Sequence, residues 1–309
     1  MKIRGFPLLF LIGASALVIR VLLDSEFAHS TLLYLLVPFA ISIALYGFTR
    51  ETDRTSAGWR YLNHLRFATI IFLATSALLF EGFLCVLMFM PIYFVMVSVG
   101  YLFVWLRERK SNDGDVFRVY AIPSLVVLLA SEGMIPATTL PREASATYTT
   151  VADQNVAALQ ANMAAPIVFS EERPWFLSLF PLPDRIEAGT LVVGDVHHLH
   201  FTYKKWFLTN FHRGVMDIRI AEVGPRHIRT EITRNTAYLS HYMQVHGTDV
   251  RFTPLVGGRT RVALTVKYRR LLDPAWYFGP MQQAAAEQSA HYLVESIIVR
   301  QSGGPADGA

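Results

Sequence analysis

Hydrophobic residues divide this chain of 309 residues into two parts. Before about Pro136 they form long uninterrupted runs, whereas after it apolar and polar residues alternate or recur at helical spacing. The runs are Phe6 to Leu23, Thr31 to Phe48, Phe67 to Leu106 and Val119 to Ile135. Long apolar runs are typical of helices surrounded by lipid, and short alternating runs of half-buried strands. The pattern therefore predicts an all-α transmembrane part, residues 1–135, followed by an α+β domain.

The run from Phe67 to Leu106 is too long for one membrane crossing. A helix of roughly 40 residues is about 60 Å long, twice the thickness of a hydrocarbon core of about 30 Å. Glu81 and Gly82 interrupt the run near its middle, where a tight turn can join two helices. We therefore predict five spans, with four as the alternative. The five lie at about 6–23, 31–48, 64–81, 83–106 and 119–135.

Basic residues in the short loops predict the sidedness of the chain. Lys2 and Arg4 precede the first span, and two further segments rich in arginine follow the second span and precede the last one. Short loops rich in Lys and Arg stay on the cytoplasmic side. Five spans place all three segments there, with the N-terminus inside and the second domain outside the cytoplasmic membrane. A cleaved signal peptide is an alternative for the first span, and it leaves the sidedness unchanged.

Two carboxylates, Glu81 and Glu132, lie near the predicted outer ends of apolar runs, and each is followed by glycine. In one interpretation both are hydrated at the interface and help to end their helices. In the other they face each other and form a polar site in the bundle, because ionisable groups within a membrane are costly and often functional.

The second part shows a different order of elements. After a linker at 136–144, SATYTTV alternates like a strand, and DQNVAALQANM reads as a helix capped by Asp153 or Asn155. SEERPWFLSLF predicts a short helix, and five strand-like runs follow, among them YLSHYMQV with DVRFTPL. A long amphipathic helix is predicted from about Pro280 to Arg300, and a disordered tail at 301–309. This order predicts an α+β domain, residues 145–300, in which a curved antiparallel sheet grips the C-terminal helix.

The stretch from SATYTTVADQNVAAL to GGRTRVALTVKYRRLLDPAWYFGPMQQAAAEQSAHYLVESI resembles the START-like helix-grip superfamily (SRPBCC), which includes polyketide cyclases and lipid-transfer domains. The likeness covers about Ser145 to Arg300, and the closing strand, aromatic turn and final helix carry most of it. The first part, particularly FEGFLCVLMFMP, is similar to that of membrane-attached members. The resemblance implies an apolar cavity between sheet and helix that holds a hydrophobic ligand. It does not imply a reaction.

Strand alternation within DVHHLHFTYK and RVALTVKYRRL selects the residues expected to line that cavity. His198 and His200 share one face of the first strand, and the opposite face is the more apolar one. The predicted cavity residues are His197, Leu199, Phe201, Tyr203, Val266 and Tyr268. Among them, His197 and Tyr203 are the polar candidates for contact with a ligand.

Metal binding is not predicted, because His198 and His200 need a third ligand from His212, His227, His241 or His246. Solvated or cross-strand pairing of these histidines is the preferred interpretation. We assign no catalytic residue and no cofactor. The second domain carries 17 basic and 15 acidic residues from Ala137 onward, an excess too small to predict nucleic-acid binding. Where their side chains lie near the bilayer, anionic headgroups are a more natural partner than DNA for Arg269 and Arg270.

Three functions are compatible with these patterns. The preferred one is a membrane-anchored protein that binds a hydrophobic, lipid-like ligand, with membrane lipids and that small ligand as its partners. The second is a structural or sensory membrane protein that uses Glu81 and Glu132. The third is an enzyme of the cyclase or hydratase kind, with His197 and Tyr203 as acid–base groups.

Overall fold

The structure is a computed structural model that describes residues 31–52, 56–78, 83–109, 113–133, 138–168, 183–187, 189–204 and 211–299. The chain divides into two compact units. The helical unit comprises Met1–Leu140 and Leu272–Phe278, and the grip unit comprises Pro141–Leu271 and Gly279–Ala309. The first predicted span, Glu81 and Gly82, the helix predicted in SEERPWFLSLF and the tail lie outside the described residues, as do the first two residues of the predicted linker.

Four helices make up the described part of the helical unit. They are α1 (Thr31–Thr52), α2 (Ala57–Leu78), α3 (Phe83–Arg109) and α4 (Asp113–Ala130). Helix α2 begins seven residues before the predicted span, because Ser56 caps it by accepting the Trp59 N–H on its side-chain oxygen. Helix α4 ends earlier than predicted, in a turn at 131–133 where Gly133 has a φ of 78°.

Helices α1, α3 and α4 share an apolar core. Its buried members are Leu35, Phe39, Ile92, Met96, Phe103, Val126 and Ala130. The backbones of α1 and α3 approach closely at Gly100, where an added Cβ would lie 1.7 Å from the Ser42 hydroxyl oxygen. The glycine is therefore required by the packing of these two helices.

One helical stretch among the described residues, Met88–Glu108, is long and apolar enough to cross a membrane by length and composition. Two other apolar stretches, Tyr34–Gly47 and Tyr120–Ala130, are shorter. The structure therefore gives no support to a bundle of five spans. The first turns of α2 are polar and include Arg60, and the apolar part of α4 is limited to Tyr120–Ala130.

A single eight-stranded antiparallel sheet forms the body of the grip unit, in the order β1-β8-β7-β6-β5-β4-β3-β2. The strands are β1 (Glu143–Ala152), β2 (Ile167–Val168), β3 (Pro183–Glu187), β4 (Val196–Lys204), β5 (Phe211–Gly224), β6 (His227–Asn235), β7 (Met243–Pro254) and β8 (Thr260–Arg270). Register shifts in β5 and β7 mark irregularities that bend an antiparallel sheet. Because β1 begins at Glu143, the last two residues of the predicted linker belong to the sheet.

Two helices belong to the described part of the grip unit. Helix α5 (Val156–Ala164) is capped by Asn155, whose side-chain oxygen accepts the Ala158 N–H at 2.9 Å. Helix α6 (Ala275–Leu293) continues as a π-helical stretch, Val294–Val299, and its first four residues belong to the helical unit. It begins five residues before Pro280, where the sequence pattern predicted its start.

The inner face of the sheet packs against helix α6. Val262, Leu264 and Val266 of β8 form one core cluster with Ala290, Val294 and Ile298, together with residues of β1, α5, β6 and β7. The four-residue spacing of Ala286, Ala290, Val294 and Ile298 puts one helical face against the strands. A curved antiparallel sheet closed by a C-terminal helix is the helix-grip arrangement.

Two local elements differ from the sequence pattern. PLPDRIEAG contains strand β3, which is too short for its alternation to stand out and begins at a proline. YLSHYMQV was expected to be a strand, but a 3-10 turn occupies Tyr238–His241 before β7 starts at Met243.

Candidate functional site

The predicted alternation of β4 is present in the structure. Leu199 and Phe201 are buried and belong to a core cluster with Ile186, Met216 and Ala237, against which Leu293 and Ile297 pack. These contacts place both side chains on the face that meets the C-terminal helix. The side chain of Tyr203 lies outside the described part of the structure. Whether these residues contact a ligand remains a prediction.

His197 is 7% exposed, and its Nε2 atom lies 2.9 Å from the carbonyl oxygen of Thr190. A carbonyl oxygen only accepts, so Nε2 carries the proton of this contact. The imidazole thereby anchors the loop between β3 and β4. The acid–base role suggested for His197 gains no support from this contact.

The outward-facing histidines form cross-strand pairs with carboxylates. Nδ1 of His198 lies 2.7 Å from Asp217, and Nε2 of His200 lies 3.2 Å from Glu187. Two further pairs, His227 with Asp249 and His246 with Glu143, have N···O distances of 3.2 Å. Among the described residues no group of three or more His, Cys, Asp or Glu side chains is arranged to hold a metal ion.

Strand β8 presents a row of buried side chains that changes from apolar to polar along its length. Val262, Leu264 and Val266 are followed on the same face by Tyr268 and Arg270. The Tyr268 hydroxyl donates to the Gln283 side-chain oxygen at 2.7 Å. Burial raises the pKa of Tyr268, the charge of Arg270 opposes the rise, and Glu287 adds to it. The phenol is therefore neutral at physiological pH.

Arg270 is the least expected residue of this face. It is 6% exposed, its Nη2 atom donates to the Pro141 carbonyl at 2.9 Å, and its buried Nη1 atom has no hydrogen-bond partner within the described ranges. Continuing the alternation of β8 by one step beyond Tyr268 places Arg270 on the inner face. Anionic headgroups are predicted partners of both Arg269 and Arg270, but of the two only Arg269 is exposed.

A second orphaned polar atom belongs to the same end of the grip unit. Gln282 is 6% exposed and donates from Nε2 to the Tyr242 carbonyl at 2.9 Å, whereas its buried Oε1 atom has no partner in the part of the chain described. The Tyr242 carbonyl also accepts the N–H of Leu271, the residue after Arg270. Gln282 and the end of β8 therefore meet at one carbonyl.

Glu132 belongs to the helical unit, and it is 9% exposed. Its Oε1 atom accepts the backbone N–H of Ala275, in the 272–278 segment of the same unit, at 2.7 Å. The carboxylate is thus buried and bonded, which differs from the hydrated position of the first interpretation. Pairing of Glu132 with Glu81 stays a prediction, because Glu81 lies outside the described residues.

Comparison with protein-family models and with curated proteins gave no match. Among solved structures, the chain is similar to a START superfamily protein from Mycobacterium smegmatis, with 10% identity and a TM-score of 0.33 over 50% of this chain and 95% of that one. It is also similar to the Zhui aromatase/cyclase from Streptomyces sp. R1128, with 15% identity and a TM-score of 0.32 over 53% and 99% of the two chains.

A third similar structure is the ginseng major latex-like protein 151 from Panax ginseng. It shows 12% identity and a TM-score of 0.28 over 49% of this chain and 99% of that one. Each of these likenesses covers about half of the chain. The strand order and the packing of helix α6 on the sheet define the fold of the grip unit.

Proposed function

We propose that the chain is a membrane-inserted protein whose grip unit binds a hydrophobic, lipid-like ligand between the sheet and helix α6. The inner face of the sheet is the observation that supports ligand binding. Apolar side chains on this face pack toward the helix: Leu199 and Phe201 on β4, and Val262, Leu264 and Val266 on β8. Ligand sites in proteins are lined predominantly by apolar side chains, and the face between this sheet and its helix is lined in this way.

Large apolar side chains on the outside of the helical unit support membrane insertion. Leu128 is 68% exposed, and the same outward position is shared by Phe67, Ile70, Val95, Leu102 and Leu125. Only a third of the apolar window of Met88–Glu108 is buried inside the protein, whereas the core helix of a water-soluble protein is mostly buried. Many large apolar side chains exposed on one unit are typical of contact with a membrane or a partner.

Aromatic and basic residues at one end of the unit fit a membrane interface. The rings of Tyr61 and Tyr101 are in edge contact, which puts the start of α2 beside the end of α3. Exposed Trp59 and Trp105 flank this contact. Trp near the headgroups, with arginines next to it, is the pattern of a cytoplasmic interface. The proposal therefore keeps this end inside the cell and the grip unit outside.

Saturable binding of an uncharged apolar probe tests the proposed function. The full-length protein in a neutral detergent is titrated with methyl 12-(9-anthroyloxy)stearate, whose fluorescence rises in an apolar site. We expect saturation near one probe per chain. A fluorescence signal that grows linearly with the probe concentration and never saturates would overturn the proposal. Retention of the protein in membranes washed at alkaline pH tests insertion separately.

A further inference from the structure

We propose that the ligand of the grip unit is an anionic amphiphile whose acidic headgroup binds the Arg270 guanidinium. This inference rests on the proposed function and names its ligand class. The ligand then has an anionic oxygen at one end of an apolar chain, and that oxygen belongs either to a carboxylate or to a phosphate.

The charge of Arg270 is the first argument. A guanidinium stays protonated in proteins, and a buried cation without a counter-charge is strongly destabilising. Arg270 donates to a neutral acceptor, the Pro141 carbonyl oxygen. Its Nη1 atom has no hydrogen-bond partner in the described part of the grip unit. An anionic group at Nη1 supplies the missing hydrogen bond and brings a counter-charge to the guanidinium.

The order of side chains along β8 is the second argument. At about 3.3 Å per residue, the eight steps from Val262 to Arg270 span roughly 26 Å. Apolar side chains occupy the first half of this length, the Tyr268 phenol comes next, and the guanidinium lies at the end. An amphiphile has the same order, with its chain toward Val262 and its acid at Arg270.

The surroundings of the guanidinium are the third argument. At Gly279 of helix α6 an added Cβ would lie 3.8 Å from Nη1, so the helix backbone passes close to the cation at a position without a side chain. Gln282 lies one turn further on and leaves a buried acceptor, Oε1, without a partner within the ranges described. A donor and an acceptor at the same end of the unit suit a headgroup that carries an anionic oxygen and a hydroxyl.

A matched pair of probes tests the inference. The full-length protein in neutral detergent at pH 8 is titrated with 12-(9-anthroyloxy)stearic acid and with its methyl ester. We expect the acid to bind about tenfold or more tightly than the ester, since hydrogen bonds to a charged group are the stronger ones. Arg270→Gln should lower the affinity for the acid to that for the ester and leave the ester unchanged. Arg269→Gln, on the exposed face next to it, is the matched control and should change neither.

Competition separates the two sources of the anion. Unlabelled stearic acid, lysophosphatidic acid and lysophosphatidylcholine are added to the complex of the wild-type protein with the labelled acid. Stronger displacement by lysophosphatidic acid assigns a phosphate headgroup, and stronger displacement by stearic acid assigns a carboxylate. Displacement by lysophosphatidylcholine as strong as that by both acids would contradict the anionic headgroup.

The outcomes distinguish the inference from the proposed function. Equal affinities of the wild-type protein for acid and ester would overturn the role of Arg270 and leave the hydrophobic site intact. Saturable binding of neither probe would overturn both. The affinities for acid and ester are both measured on the wild-type protein. Equal affinities therefore overturn the role of Arg270 even where Arg270→Gln fails to fold by circular dichroism.

Discussion

The carboxylate of Glu132 accepts the backbone N–H of Ala275, the first residue of helix α6, at 2.7 Å. Both residues belong to the helical unit. Other members of the 272–278 segment are bonded within the same unit: the Tyr277 hydroxyl donates to the Met88 carbonyl at 2.7 Å, and the ring of Phe278 contacts Tyr34 in an edge arrangement. A negative group at a helix N-terminus satisfies an unpaired N–H and interacts favourably with the helix dipole.

Removing the Glu132 carboxylate should destabilise the protein. We expect Glu132→Ala to cost about 0.5–2 kcal/mol, the usual loss on removing a helix cap, and Glu132→Gln to cost less because it keeps an oxygen acceptor. Thermal unfolding of the full-length protein in detergent measures both. Glu187→Ala, an exposed carboxylate on β3, is the control and should shift stability by less than about 0.5 kcal/mol. Equal effects of the two alanine variants would contradict the capping role.

Gly100→Ala should disrupt the packing of α1 against α3. The added Cβ would overlap the Ser42 hydroxyl oxygen and lie 3.2 Å from the Phe39 carbonyl oxygen, so the Ser42 side chain must rotate and the α1 backbone must shift slightly. Overpacking of this kind costs about 1–3 kcal/mol. Gly47→Ala in α1 is the matched control, because no atom lies within 4 Å of its added Cβ. A Tm for Gly100→Ala as high as that for Gly47→Ala would show that the two helices are not in close contact.

Asp249 should make part of the protein's stability dependent on pH. Burial acts to raise its pKa, but His227 and Arg251 outweigh that effect and hold the pKa below the ordinary value of 3.8. A carboxyl with a lowered pKa in the folded state contributes stability above its unfolded-state pKa, and this contribution is lost as the pH falls through the folded-state pKa.

Thermal unfolding of the wild-type protein and Asp249→Asn between pH 2.5 and 7 checks this expectation. The wild-type Tm should exceed that of the variant at neutral pH, and the difference should shrink as the pH falls below about 4. The exposed Asp153, substituted by Asn, provides the control and should give a small difference at every pH. A Tm difference for Asp249→Asn that is constant over the whole range would exclude the pairing with His227 and Arg251 as its cause.

Maleimide labelling in intact cells tests the sidedness that the proposed function requires. In a Cys85→Ser background, Val256→Cys places a thiol at a 92% exposed hairpin residue of the grip unit. We expect a membrane-impermeant maleimide to label it without permeabilisation. Gly58→Cys, at an exposed position of α2 with open space around it, should be labelled only after permeabilisation. The reverse pattern would place the grip unit in the cytoplasm.

Sequence periodicity predicts which side chains are buried wherever burial depends only on the residue's position in its own strand or helix. The row of Val262, Leu264, Val266 and Tyr268 on β8 is one example, and the four-residue spacing of α6 is another. Headgroup contact for both Arg269 and Arg270 does not follow the strand alternation, which puts Arg270 on the buried face of β8. Its burial depends on Pro141 and Gly279, which come from two separate segments of the chain.

Contacts between distant segments were beyond the reach of sequence patterns. Glu132 and Ala275 are 143 positions apart, and nothing near either residue predicts the other. Strand β3 was missed because it has only five residues and pairs with β2 and β4, which lie elsewhere in the chain. The predicted start of α2 is too late because apolar residues defined the span, whereas the first turns of the helix are polar. The helix begins at the cap provided by Ser56.

Native mass spectrometry of the full-length protein, released from detergent in the gas phase, tests the central claim most directly. The account predicts a population of wild-type chains that carries one apolar molecule of defined mass, and its release at higher collision energy. That population should be reduced in Arg270→Gln and retained in Arg269→Gln. A wild-type spectrum that contains only the mass of the bare chain, or random numbers of bulk lipids in all three proteins, would contradict the binding of a specific hydrophobic ligand.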